Sequence, residues 1–115
     1  MKLDIRDEND VTVISAAGSL VLGPAEDVMN ETVRRLIVDG RTRLIIDLGA
    51  VKRIDSTGVE CLLTTCQRAR ESGGDARLAR VSPRFQTLLE IAHLTEVLKI
   101  YPEVADAVSS YTRAS

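Results

Sequence analysis

The sequence predicts an α/β fold: a single domain over residues 1–115, with a mixed, largely parallel sheet of about five strands, an opening hairpin and about four helices. Three observations carry this. Leu44-Ile45-Ile46-Asp47-Leu48 is a nearly continuous apolar run, the pattern of a central strand covered on both faces. From Pro24 onward, strand-like runs alternate with helical stripes, which implies parallel strands joined by right-handed crossovers. Residues 3–17 hold two apolar segments on either side of a polar turn, the pattern of a hairpin.

Taken in order, Leu3 and Ile5 alternate with polar residues, Asp7-Glu8-Asn9-Asp10 makes the turn, and Val11, Val13 and Ile14 resume the apolar pattern through Ala17. Gly18 to Gly23 reads as a loop, and Pro24 suits the first turn of a helix, where its missing N–H costs nothing. Ala25, Val28, Met29, Thr32, Val33, Leu36 and Ile37 fall on one helical stripe, and Asp39-Gly40 gives the stop. After the Leu44–Leu48 strand, Val59, Leu62, Leu63 and Cys66 form the buried stripe of a second helix, with Arg68, Arg70 and Glu71 on its wet side. Ser72-Gly73-Gly74-Asp75 ends it. Ala76, Leu78 and Val81 read as a strand. Ser82 caps a short helix opened by Pro83, with Phe85, Leu88, Leu89 and Ala92 on its apolar face. Val97, Leu98 and Ile100 read as the last strand, and Pro102 starts a closing helix with Val104, Ala107, Val108 and Tyr111 inward. Fraying is expected from about residue 112.

The composition narrows the functional classes. The chain has 115 residues and a formal net charge of −2, with acidic and basic residues interspersed, which argues against a nucleic-acid footprint. Phe85, Tyr101 and Tyr111 are the only aromatics, so the core is aliphatic and base-stacking platforms are hard to build. Cys61 and Cys66 lie on one predicted helix at a spacing that neither bonds them nor makes a zinc site. They read as reduced thiols of a cytoplasmic protein, Cys66 in the core and Cys61 partly exposed. The N-terminus lacks signal-peptide character, and no apolar run approaches the ~20 residues a membrane helix needs.

Catalytic constellations are not in view. The lone histidine, His93, follows the short helix and reads as a helix-end residue. There is no Gly-x-Ser-x-Gly elbow, phosphate-binding loop or dinucleotide fingerprint, and no ligand set for a metal or cofactor. Asp47 is most simply a polar residue near a strand end. What stands out is Asp55-Ser56-Thr57-Gly58, where a strand hands over to a helix, at the sheet edge where α/β folds place their sites. One reading is capping: Asp, Ser and Thr all satisfy helix N–H groups, and Thr57-x-x-Glu60 has the capping-box spacing. The other is a modification site. A phosphoserine adds roughly −1.5 to −2 charge and three acceptor oxygens. The helix dipole favours that charge, Asp55 and Glu60 oppose it, and Lys52 and Arg53 partly offset the repulsion.

Leu44–Leu48, Val51 and Ile54-Asp55-Ser56-Thr57-Gly58-Val59 resemble the signature of the STAS domain, and more narrowly that of bacterial anti-sigma factor antagonists. The resemblance extends to Gly18, Gly73-Gly74 and the Ser82–Leu94 region, nearly the whole chain. It implies a STAS-like fold and a switch in place of an enzyme, acting in bacterial transcription regulation and stress signalling. The resemblance makes Ser56 the phosphorylation site. Unphosphorylated, such a protein binds an anti-sigma factor that is also a serine kinase and frees the sigma factor. Phosphorylation prevents the binding, and a serine phosphatase resets it. Asp55, Ser56, Thr57 and Gly58, with Leu20 in the neighbouring loop, are then the expected partner contacts, Gly58 permitting close approach of the partner or tight helix packing. The Gly18–Gly23 segment lacks the acidic residue that often follows this glycine, which implies a partner unlike the best-known kinases. The same domain also serves as a scaffold in signalling assemblies or as a cytoplasmic subunit of a lipid transporter, without a required phosphoserine. A binder of small ligands remains a further class, since a pocket can be built from aliphatic side chains and backbone alone.

Overall fold

The computed structural model describes residues 1–113. Five strands, β1 (Lys2–Glu8), β2 (Val11–Leu20), β3 (Arg43–Ile54), β4 (Asp75–Ala79) and β5 (Ile100–Tyr101), form one sheet in the order β1-β2-β3-β4-β5. β1 and β2 are antiparallel and the other neighbours parallel, as the alternating pattern predicts. The helices are α1 (Pro24–Val38), α2 (Ser56–Glu71), α3 (Pro83–Ile91) and α4 (Val104–Arg113), with one turn of 3-10 helix at Leu94–Glu96. The hairpin turn places Asn9 at φ 50° and Asp10 at φ 66°. A two-residue hairpin loop of type I′ demands left-handed backbone at both positions, and Asn and Asp tolerate it best after glycine.

The pleat of the strands divides the interior in two. Ile14, Ala16, Leu44, Ile46, Leu48 and Leu78 face one side, where α1, α2 and α3 cover them with Met29, Val33, Leu62, Cys66, Phe85 and Leu89. Val11, Val13, Ile45 and Ala79 face the other, where α4 brings Ala107, Val108 and Tyr111. The Tyr111 hydroxyl lies 2.7 Å from the carbonyl oxygens of both Leu44 and Asp75. It has one proton to donate, so one of these contacts is a hydrogen bond at any moment. The Arg77 guanidinium stacks 3.9 Å from the centroid of the same ring and reaches Asp75 at 3.1 Å. Burial works against ionising Asp75, but hydrogen bonds from Arg77 and Arg70 outweigh it and hold the carboxyl below its ordinary range.

Several expectations are corrected. Gly18, Ser19 and Leu20 are not loop: β2 runs on through them, pairing with Val51, Arg53 and Ile54, with irregularities of register between Ser15 and Ala17 and between Gly18 and Ser19. Such bulges admit small residues where the apolar alternation has lapsed. Asp47 lies inside β3, not at its end. It is buried, accepting from Arg80 Nε at 2.8 Å and from the Gly49 N–H at 3.0 Å. Cys61 is buried as well, because α1 packs beside α2 and brings Asn30 Oδ1 within 3.5 Å of its thiol. Val28 is exposed, off the edge of the α1 stripe; Leu88 is exposed on α3, and Ala92, exposed too, lies just past its end. β4 stops at Ala79, before Arg80 turns left-handed at φ 56°, leaving Val81 outside. Only Ile100 and Tyr101 form the last strand: Val97 and Leu98 close the 3-10 turn, Leu98 plugging the core. α4 is described through Arg113; the fraying expected toward the chain end also falls on residues 114 and 115, which lie outside the described ones.

Candidate functional site

β2 and β3 end side by side, with Leu20 paired to Ile54. From there one chain passes through Val21–Gly23 into α1, and the other passes through Asp55 into α2. Asp55 joins the two exits. Its Oδ1 accepts from the Gly58 N–H and its Oδ2 from the Leu22 N–H, each at 2.9 Å, while its own N–H donates to the Leu20 carbonyl at 3.4 Å. These donors, Leu22 first and Gly58 second, hold the Asp55 carboxyl below its usual range. Asp55 is therefore the helix cap. Thr57, given that role by the capping-box spacing, lies inside the helix, because an Asp one position before the helix satisfies the N–H of Gly58 and still has an oxygen for the neighbouring loop.

With the cap supplied by Asp55, Ser56 becomes the first residue of α2 and is exposed. Thr57 is half-buried and Gly58 buried. A Cβ on Gly58 would fall 2.2 Å from the Leu20 carbonyl oxygen, so of its two expected roles the glycine serves close packing of helix start on strand end. Leu20 is fully buried, so its side chain belongs to the core and cannot meet a partner. Leu22, two residues on, is 74% exposed. The connection expected from Gly18 begins only after Leu20, so Leu22 and not Leu20 is its exposed apolar side chain. Lys52 and Arg53 are exposed on the last part of β3, no acidic side chain stands in the first turn of α2, and Glu60 is exposed one turn on.

A phosphoryl group on Ser56 would meet the positive end of the α2 dipole, worth about 0.3–1 kcal/mol at an exposed site. It would also stand beside the ionised Asp55, whose backbone partners keep that carboxylate in place. The helix start can carry the added charge, and a docked protein would have to desolvate it. His93, exposed at φ 59° after α3, is part of another connection. Among the described residues no group of three or more His, Cys, Asp or Glu is placed to hold a metal ion, and no helix is long and apolar enough to cross a membrane.

Fold and site together define a class: an α/β domain with an ordered sheet edge that presents one exposed hydroxyl at a helix start. The chain belongs to the STAS domain family, which its residues 2–107 match. It is 27% identical over 105 residues to the anti-sigma-F factor antagonist RsfB of Mycobacterium tuberculosis, covering 91% of this chain and 84% of that protein. Solved structures share the fold, among them these three. An anti-sigma factor antagonist from Mycobacterium paratuberculosis superposes with a TM-score of 0.82 at 22% identity, covering 95% of this chain and 92% of that one. The Bacillus cell fate determinant SpoIIAA in its phosphorylated form gives a TM-score of 0.73 at 18% identity, covering 96% and 99%. The same SpoIIAA in its unphosphorylated form gives 0.75 at 16% identity, covering 99% and 100%.

Proposed function

We propose that this protein is an anti-sigma factor antagonist, a partner-switching protein that works by binding and not by catalysis. Unphosphorylated at Ser56, it binds an anti-sigma factor serine kinase and releases the sigma factor; a phosphorylated Ser56 abolishes the binding until a serine phosphatase removes the group. The observation that carries this is the exposed Ser56 hydroxyl on the first residue of α2, left out of the cap by Asp55. Support comes from the RsfB relative and from a protein of the same fold known both with and without phosphate. Asp55, Ser56 and Thr57, with Leu22 in place of Leu20, form the docking edge, and Gly58 sets its shape from beneath. A doubly charged group in a desolvated interface brings like-charge repulsion and burial cost, and ~3 kcal/mol of penalty already lowers affinity about a hundredfold.

The test is a pull-down from the source lysate with wild type, Ser56→Ala and Ser56→Asp, the captured proteins identified by mass spectrometry. A serine-kinase ATPase held by wild type and Ser56→Ala but lost with Ser56→Asp is the expected result. Equal capture by all three would overturn the switch and make the chain a constitutive scaffold or transporter subunit.

A further inference from the structure

A groove of about 510 Å³ runs between the last part of β3 and the outer face of α3. Its volume lies in the range of small-molecule sites, about 300–1,000 Å³. Leu48, Val51, Ile54 and Phe85 contribute its apolar floor. Leu88, 46% exposed, and Ile91, 72% exposed, extend the apolar surface along α3, where a surface helix would ordinarily carry polar residues. Lys52, Arg53 and Arg84 also line it, and none of them pairs with a carboxylate among the described residues, whose ion pairs lie elsewhere.

We propose that this groove binds a single-chain amphiphilic carboxylate, a medium-chain fatty acid. The apolar lining takes the acyl chain out of water, and the three cations meet the one anionic end. Long cationic side chains suit this arrangement, because their methylenes lie along an apolar surface while the charge stays at its rim. A neutral apolar ligand would leave the cations without a counterpart. The groove also borders the phosphosite connection: Arg53 and Ile54 immediately precede Asp55 and Ser56. An occupied groove therefore touches the segment that positions the switch, without using the hydroxyl itself.

The experiment is an NMR titration of the full chain with decanoate below its micelle concentration, with decanol as the uncharged control. Saturable one-to-one binding is expected, with amide shifts centred on Val51, Ile54, Phe85 and Leu88 and at least about tenfold weaker binding of decanol. The double variant Lys52→Glu/Arg84→Glu and, separately, Ile91→Asp should each weaken decanoate about tenfold while the urea midpoint stays unchanged, since all three positions are exposed. Absence of saturable binding, shifts centred elsewhere, equal binding of decanol, or indifference to both variants would overturn the proposal. None of these readouts depends on whether Ser56 is phosphorylated.

Discussion

Gly58→Ala tests the packing that sets the start of α2. The new methyl carbon would lie 2.2 Å from the Leu20 carbonyl oxygen and 2.9 Å from Ile54 Cγ2. Ordinary carbon–oxygen contacts are about 3.3–3.6 Å, so roughly 1 Å of separation has to be created. The side chain of Ile54 can give way. The oxygen cannot easily do so, because it belongs to the end of β2, is held in register with β3 and accepts the Asp55 N–H. Overpacking of this kind costs about 1–3 kcal/mol, and Ala in place of Gly returns at most about 1 kcal/mol of helix propensity, less in a first turn. The net loss is about 1–2 kcal/mol. With a urea m-value of about 1.5 kcal/mol/M, the unfolding midpoint should fall by about 1 M. Ser56→Ala is the companion: its side chain lies outside the cap and should change stability by less than about 0.5 kcal/mol. A Gly58→Ala midpoint equal to or above wild type would refute the close-packing argument, and with it the idea that Gly58 shapes the edge from below.

Three further outcomes follow from the interior. Asp75→Asn leaves the buried Arg77 without its carboxylate and should cost about 2–3 kcal/mol near neutral pH, less than the ~3–5 kcal/mol of a fully buried pair because Arg70 and Lys99 are exposed. The folded-state pKa of Asp75 is lowered, so its contribution is present above the ordinary value of about 3.9 and is lost as pH falls through the lower folded one. Urea midpoints of wild type and variant should converge as pH falls below the ordinary carboxylate range, and a gap that persists unchanged there would contradict the ion-pair account. Tyr111→Phe deprives the carbonyls of Leu44 and Asp75 of their shared donor and should lower stability by about 1–3 kcal/mol, read by thermal melting; an unchanged melting temperature would mean the hydroxyl bond is worthless. Burial pushes the Cys61 thiol up to about 11 and raises that of Cys66, so a disulfide reagent at mildly alkaline pH should modify the native protein slowly and both cysteines at once in urea. Rapid native modification of Cys61 would show that α1 does not shield it.

The parts of the fold legible in the sequence are those fixed by local periodicity. The Leu44–Leu48 run declares a strand covered on both faces, and the Pro24 and Ser82-Pro83 starts need only local chemistry. What escaped depends on contacts made at a distance. The later part of β3 carries Gly49, Ala50, Lys52 and Arg53, whose polarity hides a strand; it is strand because β2 runs beside it. The narrow stripe drawn on α2 missed Cys61 and Thr65 because that helix is covered by α1 as well as by the sheet, which widens its buried face. At the site, the strand-to-helix handover at Asp55–Gly58 was visible, but the choice of cap was not: Thr57 and Asp55 both have the right chemistry, and only the Leu22 N–H, brought near by the β2–β3 pairing, favours Asp55. The groove beside α3 was invisible, since Leu88 reads as an ordinary core position until the helix is docked.

The two-sided interior has a consequence for synthesis. Sheet neighbours follow one another along the chain, so each strand and covering helix can settle on what has already emerged from a ribosome. The exception is the face formed by Val11, Val13 and Ile45, whose cover is α4, the last helix described. During translation that apolar face has no lid until α4 is made, and it is in that interval that aggregation and chaperone capture compete with folding. A nascent chain stalled before Val104 should therefore be sticky on one face and finished on the other. The ring of Tyr111, reaching back to the strand that carries Leu44, acts as the latch that ends this vulnerable interval.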